Sequence, residues 1–400
     1  MENQSQEPLS HSQAIRSRKR KKIMLCLMIT LLLFLGCGYG YYEIYGQYYE
    51  STDDAYVQGN ILNIAPKISG TVTKIYAEDG DYVQQGQPLV ALDRNDTQIA
   101  LEQAKANLAN VIRQTRSLYT DVENYQSQVN IQQVAYQQAQ ADYQRRQQLV
   151  KKNAISVEEL NHYKDALTSA KNALMAAKQA LQSRAALTDG VAIADHPAIK
   201  QAIAQLQQAF LNNEYTIVPA PVSGYVSQRS VQLGEQVTPS HNLMALVPLN
   251  QVWVDANFKE SQMKDMRIGQ PVDITADLYG SNIHYQGHIA SLGIGTGSAF
   301  SLLPAQNATG NWIKIVQRLP VRIELDAQNL DRYPLRIGLS MNVTVHLAHQ
   351  QGPLLDETIN QKPRLETRTY DHQLAQTRQI IASIFKLNGI KASKMMLTER

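Results

Sequence analysis

His284 and His288 stand four residues apart in a stretch that alternates with period two, so both imidazoles fall on one face of a strand, as the start of a metal site would. Such a site needs a third ligand, and nothing nearby in the chain supplies one. We therefore read the pair as polar strand positions facing solvent. Gly293, Gly295 and Gly297 have the look of a phosphate cradle, but no Gly-Lys-Ser/Thr follows and no helical pattern opens after them, so they read as a structural loop. No Gly-x-Ser-x-Gly, His-Glu-x-x-His or Walker sequence occurs. The carboxylates Glu102, Asp142, Asp265 and Asp331 stand singly or beside polar residues, as on solvated faces. The expectation is a chain with no catalytic residue, no metal and no cofactor, which is no enzyme and takes any energy it uses from a partner.

One further chemical candidate is Phe34-Leu35-Gly36-Cys37, which approximates a lipidation box but carries Phe where an aliphatic residue is usual. It lies in an apolar run from Ile23 to Tyr42, and about twenty helical residues span the roughly 30 Å bilayer core. Arg16, Arg18, Lys19, Arg20, Lys21 and Lys22 directly precede the run, while Glu43, Glu50, Asp53 and Asp54 follow it. The positive-inside rule then puts the N-terminus in the cytoplasm and everything after residue 45 outside. Tyr39, Tyr41, Tyr42 and Tyr45 would form an interfacial belt. No Ala-x-Ala cleavage site is present, so an uncleaved anchor is expected. Both cysteines, Cys26 and Cys37, lie within this run, leaving the external part without a disulfide or a thiolate ligand. A net charge of +3 gives no case for nucleic acid, and 44% hydrophobic with 18% charged residues is ordinary for a chain with packed cores.

The longest patterned stretch is helical. Leu101, Leu108, Thr115, Val122, Val129, Tyr136, Tyr143 and Val150 recur at heptad spacing, interleaved with Ala104, Val111, Leu118, Tyr125, Gln132, Ala139 and Arg146. Leu160, Leu167, Leu174 and Leu181 repeat the spacing after Lys151-Lys152-Asn153-Ala154-Ile155-Ser156, so the insert folds back there as an antiparallel coiled coil. Ser156 with Glu159 reads as a capping box opening the returning helix. Asp189-Gly190 and His196-Pro197 interrupt the second arm, before Ile199, Ala202, Leu206 and Ala209 resume the period.

Closely similar sequence flanks this insert. At one constant offset, Ser69, Gly70, Val72, Gly80, Val83, Leu89, Ala91 and Leu92 fall on Ser223, Gly224, Val226, Gly234, Val237, Leu243, Ala245 and Leu246. Two such halves, each too small to bury a core alone, would pair into one β-sandwich from which the hairpin projects. The pattern resembles the biotinyl/lipoyl carrier fold with its central turn replaced by the hairpin. The carrier lysine is missing at both edges, Leu92-Asp93-Arg94-Asn95 and Tyr215-Thr216-Ile217-Val218. Beyond the second half, short alternating strands such as Val252-Trp253-Val254-Asp255-Ala256 and Val343-Thr344-Val345-His346-Leu347 predict a small β-barrel.

An anchored, split lipoyl-like domain carrying a coiled-coil hairpin resembles the periplasmic membrane fusion (adaptor) proteins of the HlyD superfamily. The stretches from Val252 to Glu260, Gly295 to Lys314 and Arg318 to Ile323 resemble its EmrA branch. This resemblance implies the adaptor of a tripartite multidrug efflux system. Its partners would be an inner-membrane, proton-coupled transporter of the major facilitator class, a TolC-like outer-membrane channel, and further copies of itself. It also implies that Arg145, Leu149 and Ser156 form the channel-contacting set at the hairpin tip. Other readings are an adaptor for aromatic-acid efflux or protein secretion, and a structural envelope spacer.

The expected fold class is α+β, elongated and multi-domain: a transmembrane helix, a hairpin inserted in a split lipoyl-like β-sandwich, and a small β-barrel. The expected division is a cytoplasmic basic segment 1–22, a membrane helix 23–42, a first sandwich half 51–95, the hairpin 96–214, a second half 215–249, a barrel 250–349 and a tail 350–400. The tail is polar except for Ile380, Ile381, Ile384 and Phe385. Disorder and packing against the barrel both stay open for it at this point.

Overall fold

The computed structural model describes residues 12–44, 46–188, 190–297, 299–300, 316–326, 329–359 and 361–390. It divides into two compact units, Met1–Leu62 with Leu246–Glu366, and Asn63–Ala245 with Thr367–Arg400. Most of the glycine-rich run that resembles the EmrA branch, from Ser301 onward, lies outside the described residues.

Helix α1 (Ser12–Ile44) continues the apolar run back through the basic segment as one helix. Its stretch Ile23–Gly40 has a mean hydropathy of 2.2 and none of it is buried, which is long and apolar enough to cross a bilayer.

The first unit also holds a closed six-stranded antiparallel barrel. Its strands are β1 (Tyr49–Gly59), β10 (Val252–Lys259), β11 (Pro271–Ala276), β12 (His284–Leu292), β13 (Arg318–Leu325) and β14 (Ser340–His346), joined in the order β1-β10-β13-β12-β11-β14. Alternate residues face inward along each strand, so Val254, Ala256, Phe258, Ile274, Tyr285, Ile289, Ile323 and Val343 fill one core. Here the expected boundaries need correction. Residues 51–59, assigned from the sequence to the first sandwich half, are barrel: β1 pairs with β10 on one side and β14 on the other, and so closes the ring. A strand at a sheet edge leaves its hydrogen-bonding groups open, and β1 satisfies both edges only by joining a barrel whose other strands come some two hundred residues later.

In the second unit the repeat becomes a sandwich. The first half supplies β2 (Leu62–Ile64), β3 (Gly70–Ile75), β4 (Tyr82–Val83) and β5 (Pro88–Leu92), and the second supplies β6 (Ile217–Pro219), β7 (Gly224–Ser227), β8 (Gln236–Val237) and β9 (Met244–Val247). The sheets are β2-β9-β7-β4 and β6-β5-β3-β8, each drawing two strands from each half. Exchanging the halves turns one sheet order into the other. The symmetry extends to single bonds: Gly80 N–H donates to Val226 O (2.9 Å) and Gly234 N–H to Val72 O (2.8 Å). Both glycines have positive φ, +94° and +82°, as these tight turns require.

Gly70 does not have that conformation. A Cβ built on it would lie 3.3 Å from Leu92 Cβ, so it is glycine for close approach, while Gly224, its counterpart, is buried at the start of β7. Valine at either position is expected to destabilise the chain by about 1 kcal/mol or more, read as a lowered melting midpoint. A midpoint unmoved by both substitutions would count against the paired-half sandwich.

The hairpin rises from this sandwich as α2 (Asn95–Val150), α3 (Val157–Ala185) and α4 (Pro197–Glu214). A 56-residue helix at about 1.5 Å per residue gives α2 a length of roughly 80 Å. Burial along it is uneven. Leu101, Leu108, Ile112, Thr115 and Val129 are buried, while Tyr136, Tyr143 and Val150 further out are half-covered, as seam residues of a bare two-helix pair are. The second arm breaks after α3, and His196 caps α4 by accepting from Ala198 N–H (3.3 Å).

The tail contains α5 (Ala375–Leu387), which packs on the base of the hairpin, while the tail's first residues lie on the barrel, where Ile268 N–H donates to Pro353 O (3.1 Å). This explains Ile112, fully buried although it lies off the heptad seam: α2, α4 and α5 together enclose it.

Candidate functional site at the hairpin tip

The turn between α2 and α3 is built on the last carbonyls of α2, where Val150 O accepts from Asn153 N–H (2.9 Å). Leu149 O accepts from Lys152 N–H (3.1 Å) and Ala154 N–H (2.9 Å), while Asn153 takes the left-handed conformation (φ 54°) that asparagine tolerates. Ser156 then caps α3, its Oγ accepting from Glu159 N–H at 3.1 Å. Only half of the expected capping box is present. The Glu159 carboxylate instead faces Arg146, with its Oε1 3.7 Å from Arg146 Nε. Arg146 Nη2 donates to Tyr163 Oη (3.0 Å) and its guanidinium lies 4.7 Å from that ring centre. Arg146, a polar residue at a heptad position, is thus a clamp between the arms.

Of the three residues singled out from the sequence, Arg145 is largely exposed and paired with Asp142 one turn earlier. Leu149 is half-buried and Ser156 is exposed, its hydroxyl oxygen engaged in the cap. The structure places Leu149 and Ser156 in one turn-and-cap, with Arg145 one helical turn before Leu149 on α2. It also adds Val157, 65% exposed beside Ser156, an apolar side chain at the end of the rod. The sequence signal for Val157 is a β-branched apolar residue at the first helical position, off the seam. That signal is weak on its own.

Elsewhere, β12 alternates so that His284 and His288 both point outward. His288 lies 3.8 Å from the carboxylates of Glu324 and Asp326. Among the described residues no group of three or more His, Cys, Asp or Glu side chains could hold a metal ion. Gly293 is fixed by packing: its N–H donates to Pro320 O (2.8 Å), and a Cβ there would sit 2.5 Å from that same oxygen. On the barrel wall, Arg322 stacks 3.9 Å over Trp253. Burial holds the neighbouring Asp255 carboxyl above the usual range, opposed by the Trp253 hydrogen bond and the Arg322 charge.

Residues 95–216 match the family model of the EmrA alpha-helical hairpin domain, and residues 251–346 that of the AAEA-like beta-barrel domain. The multidrug export protein EmrA of Escherichia coli K12 is 46% identical over 343 residues, spanning 86% of this chain and 88% of its own. The chain belongs to the EmrA family of membrane fusion proteins. Other members similar to it include the probable multidrug resistance protein EmrK of E. coli K12, at 44% identity over 85% of this chain and 88% of that one. The fatty acid resistance protein FarA of Neisseria gonorrhoeae is 43% identical over 82% of this chain and 85% of its own length. Like its EmrA-family relatives, the chain is a membrane fusion adaptor, with one apolar helix at its N-terminal end.

Proposed function

We propose that this EmrA-family chain is the periplasmic adaptor of a tripartite multidrug exporter, linking a proton-coupled major facilitator transporter in the inner membrane to a TolC-like outer-membrane channel. The observation that carries this reading is the hairpin itself. Its base is set in a packed core, yet its far end exposes Arg145, roughly 75 Å along α2, and Val157 at the start of α3. Such a rod serves to present its tip. The relatives named for multidrug export, multidrug resistance and fatty acid resistance support efflux as the process. In this reading α1 anchors the chain in the inner membrane, with the basic segment in the cytoplasm and the sandwich, hairpin and barrel in the periplasm. Several copies surround the exit path, because one thin hairpin cannot seal a conduit. Arg145, Leu149 and Ser156, with Val157, meet the channel.

Affinity purification of the full chain in mild detergent, beside drug susceptibility of a strain lacking it, tests the assignment. The expected result is a co-purifying many-helix transporter and a susceptibility restored to normal by the intact gene. A chain that retains no transporter and whose loss leaves susceptibility unchanged would be an envelope spacer, and the proposal would fall.

A further inference from the structure

The C-terminal segment is held along its length by contacts of three kinds, all within the second unit. At its start, Thr367 Oγ1 donates to Pro221 O and accepts from Gln85 Nε2 (3.2 Å), and Thr369 Oγ1 lies 3.3 Å from the carbonyls of Ala220 and Pro221. These acceptors belong to the loop that follows β6, at the edge of the sandwich. Next, Tyr370 and Tyr215 hold Lys67 between them, its Nζ 3.9 Å from the first ring centre and 4.7 Å from the second. Burial lowers the Lys67 ammonium pKa and raises that of the Tyr370 phenol, the mark of a contact partly withdrawn from water.

Beyond it, α5 lays Ile381, Ile384 and Phe385 onto the hairpin base, with Thr377 also buried, and Phe385 is fully buried among Leu108 and Ile112 of α2 and Ile199, Leu206 and Phe210 of α4. The spacing of those four residues is a single helical stripe. The helix also has its own stop. Gly389 follows it, Ile390 N–H returns to Phe385 O (3.1 Å), and Ile390 joins the same core. Arg116 Nη1 donates to Asn388 O (3.2 Å), placing a cation at the helix C-terminus where the dipole favours it.

We propose that residues 367–390 are a strap that fastens the base of the hairpin to the sandwich edge, so that the rigidity of the hairpin mount depends on the C-terminal segment. The reason is coverage. Two helices alone leave one side of their seam open, and here that side is closed by α5, whose connection upstream is tied to the sandwich by Thr367, Thr369 and Tyr370. This inference is independent of what the chain exports.

Hydrogen exchange of the full chain in detergent, followed by mass spectrometry, tests it with Phe385→Asp. Peptides of α5, of α2 from Leu101 to Thr115 and of α4 should each lose protection roughly tenfold or more, while barrel strands β10 and β13 stay as in the wild type. Released α5 with an unchanged hairpin base would overturn the strap, and so would an α5 still protected in that variant. Thr367→Ala with Tyr370→Ala spares the apolar core and serves if Phe385→Asp does not fold. About a threefold or greater loss confined to α5 and the hairpin base is then expected, and no loss there overturns the proposal.

Discussion

Leu149→Asp combined with Arg145→Asp is expected to abolish drug resistance in cells that rely on this chain for it, while the protein stays anchored, folded and bound to its transporter. Arg145 is largely exposed and its pairing with Asp142 is a surface ion pair, worth little to the fold, so reversing its charge spares the helix. Leu149 holds the turn through its main-chain carbonyl, which the substitution keeps. A carboxylate on its half-buried side chain would be placed in any apolar groove that receives the tip. Loss of a central apolar anchor at an interface costs about 2 kcal/mol or more, roughly thirtyfold in affinity, and the second substitution adds like-charge or unpaired-charge cost. Inhibitory concentrations measured beside the membrane level of the chain and its co-purified transporter decide the matter. Resistance that survives both changes at normal expression would remove the tip from the mechanism and leave the hairpin a spacer.

A large loss of stability is expected at a residue without a side chain. Gly287 lies buried in β12, opposite Val272 of β11 on one side and Leu325 of β13 on the other. A Cβ there would stand 2.4 Å from the main-chain oxygen of Glu324 and 3.2 Å from Ile323 Cγ2. A backbone carbonyl held in a ladder cannot rotate away as a side chain would. Either β12 and β13 separate locally or the barrel core shifts. Gly287→Ala should therefore cost about 3 kcal/mol, at the upper end for overpacking, and lower the melting midpoint by several degrees. Gly297→Ala is the control, since among the described residues nothing lies within 4 Å of its Cβ position, and it should leave the midpoint unchanged. Equal midpoints for the two variants would contradict the close strand pairing at Gly287.

Periodicity carried much of the architecture in the sequence. The heptads from Leu101 onward and the polar break before Ser156 describe α2, the turn and α3 because a helix needs only its own neighbours to declare its apolar face. The repeat relating Ser69–Leu92 to Ser223–Leu246 described the sandwich for a similar reason: each half carries the same turn glycines and the same inward positions. The N-cap role of Ser156 was equally local. Destination was not legible. β1 alternates like any half-buried strand, and its membership of the barrel follows from edges offered by β10 and β14, far away in the chain. Glu159 could have closed a capping box, but Arg146 on the opposite arm comes within reach only once the hairpin has formed. The apolar stripe of α5 likewise announced a buried face without naming its partner. The tertiary structure alone decided that it covers Leu108, Ile112 and Leu206, because which surface is left open at the hairpin base depends on how α2 and α4 have already packed.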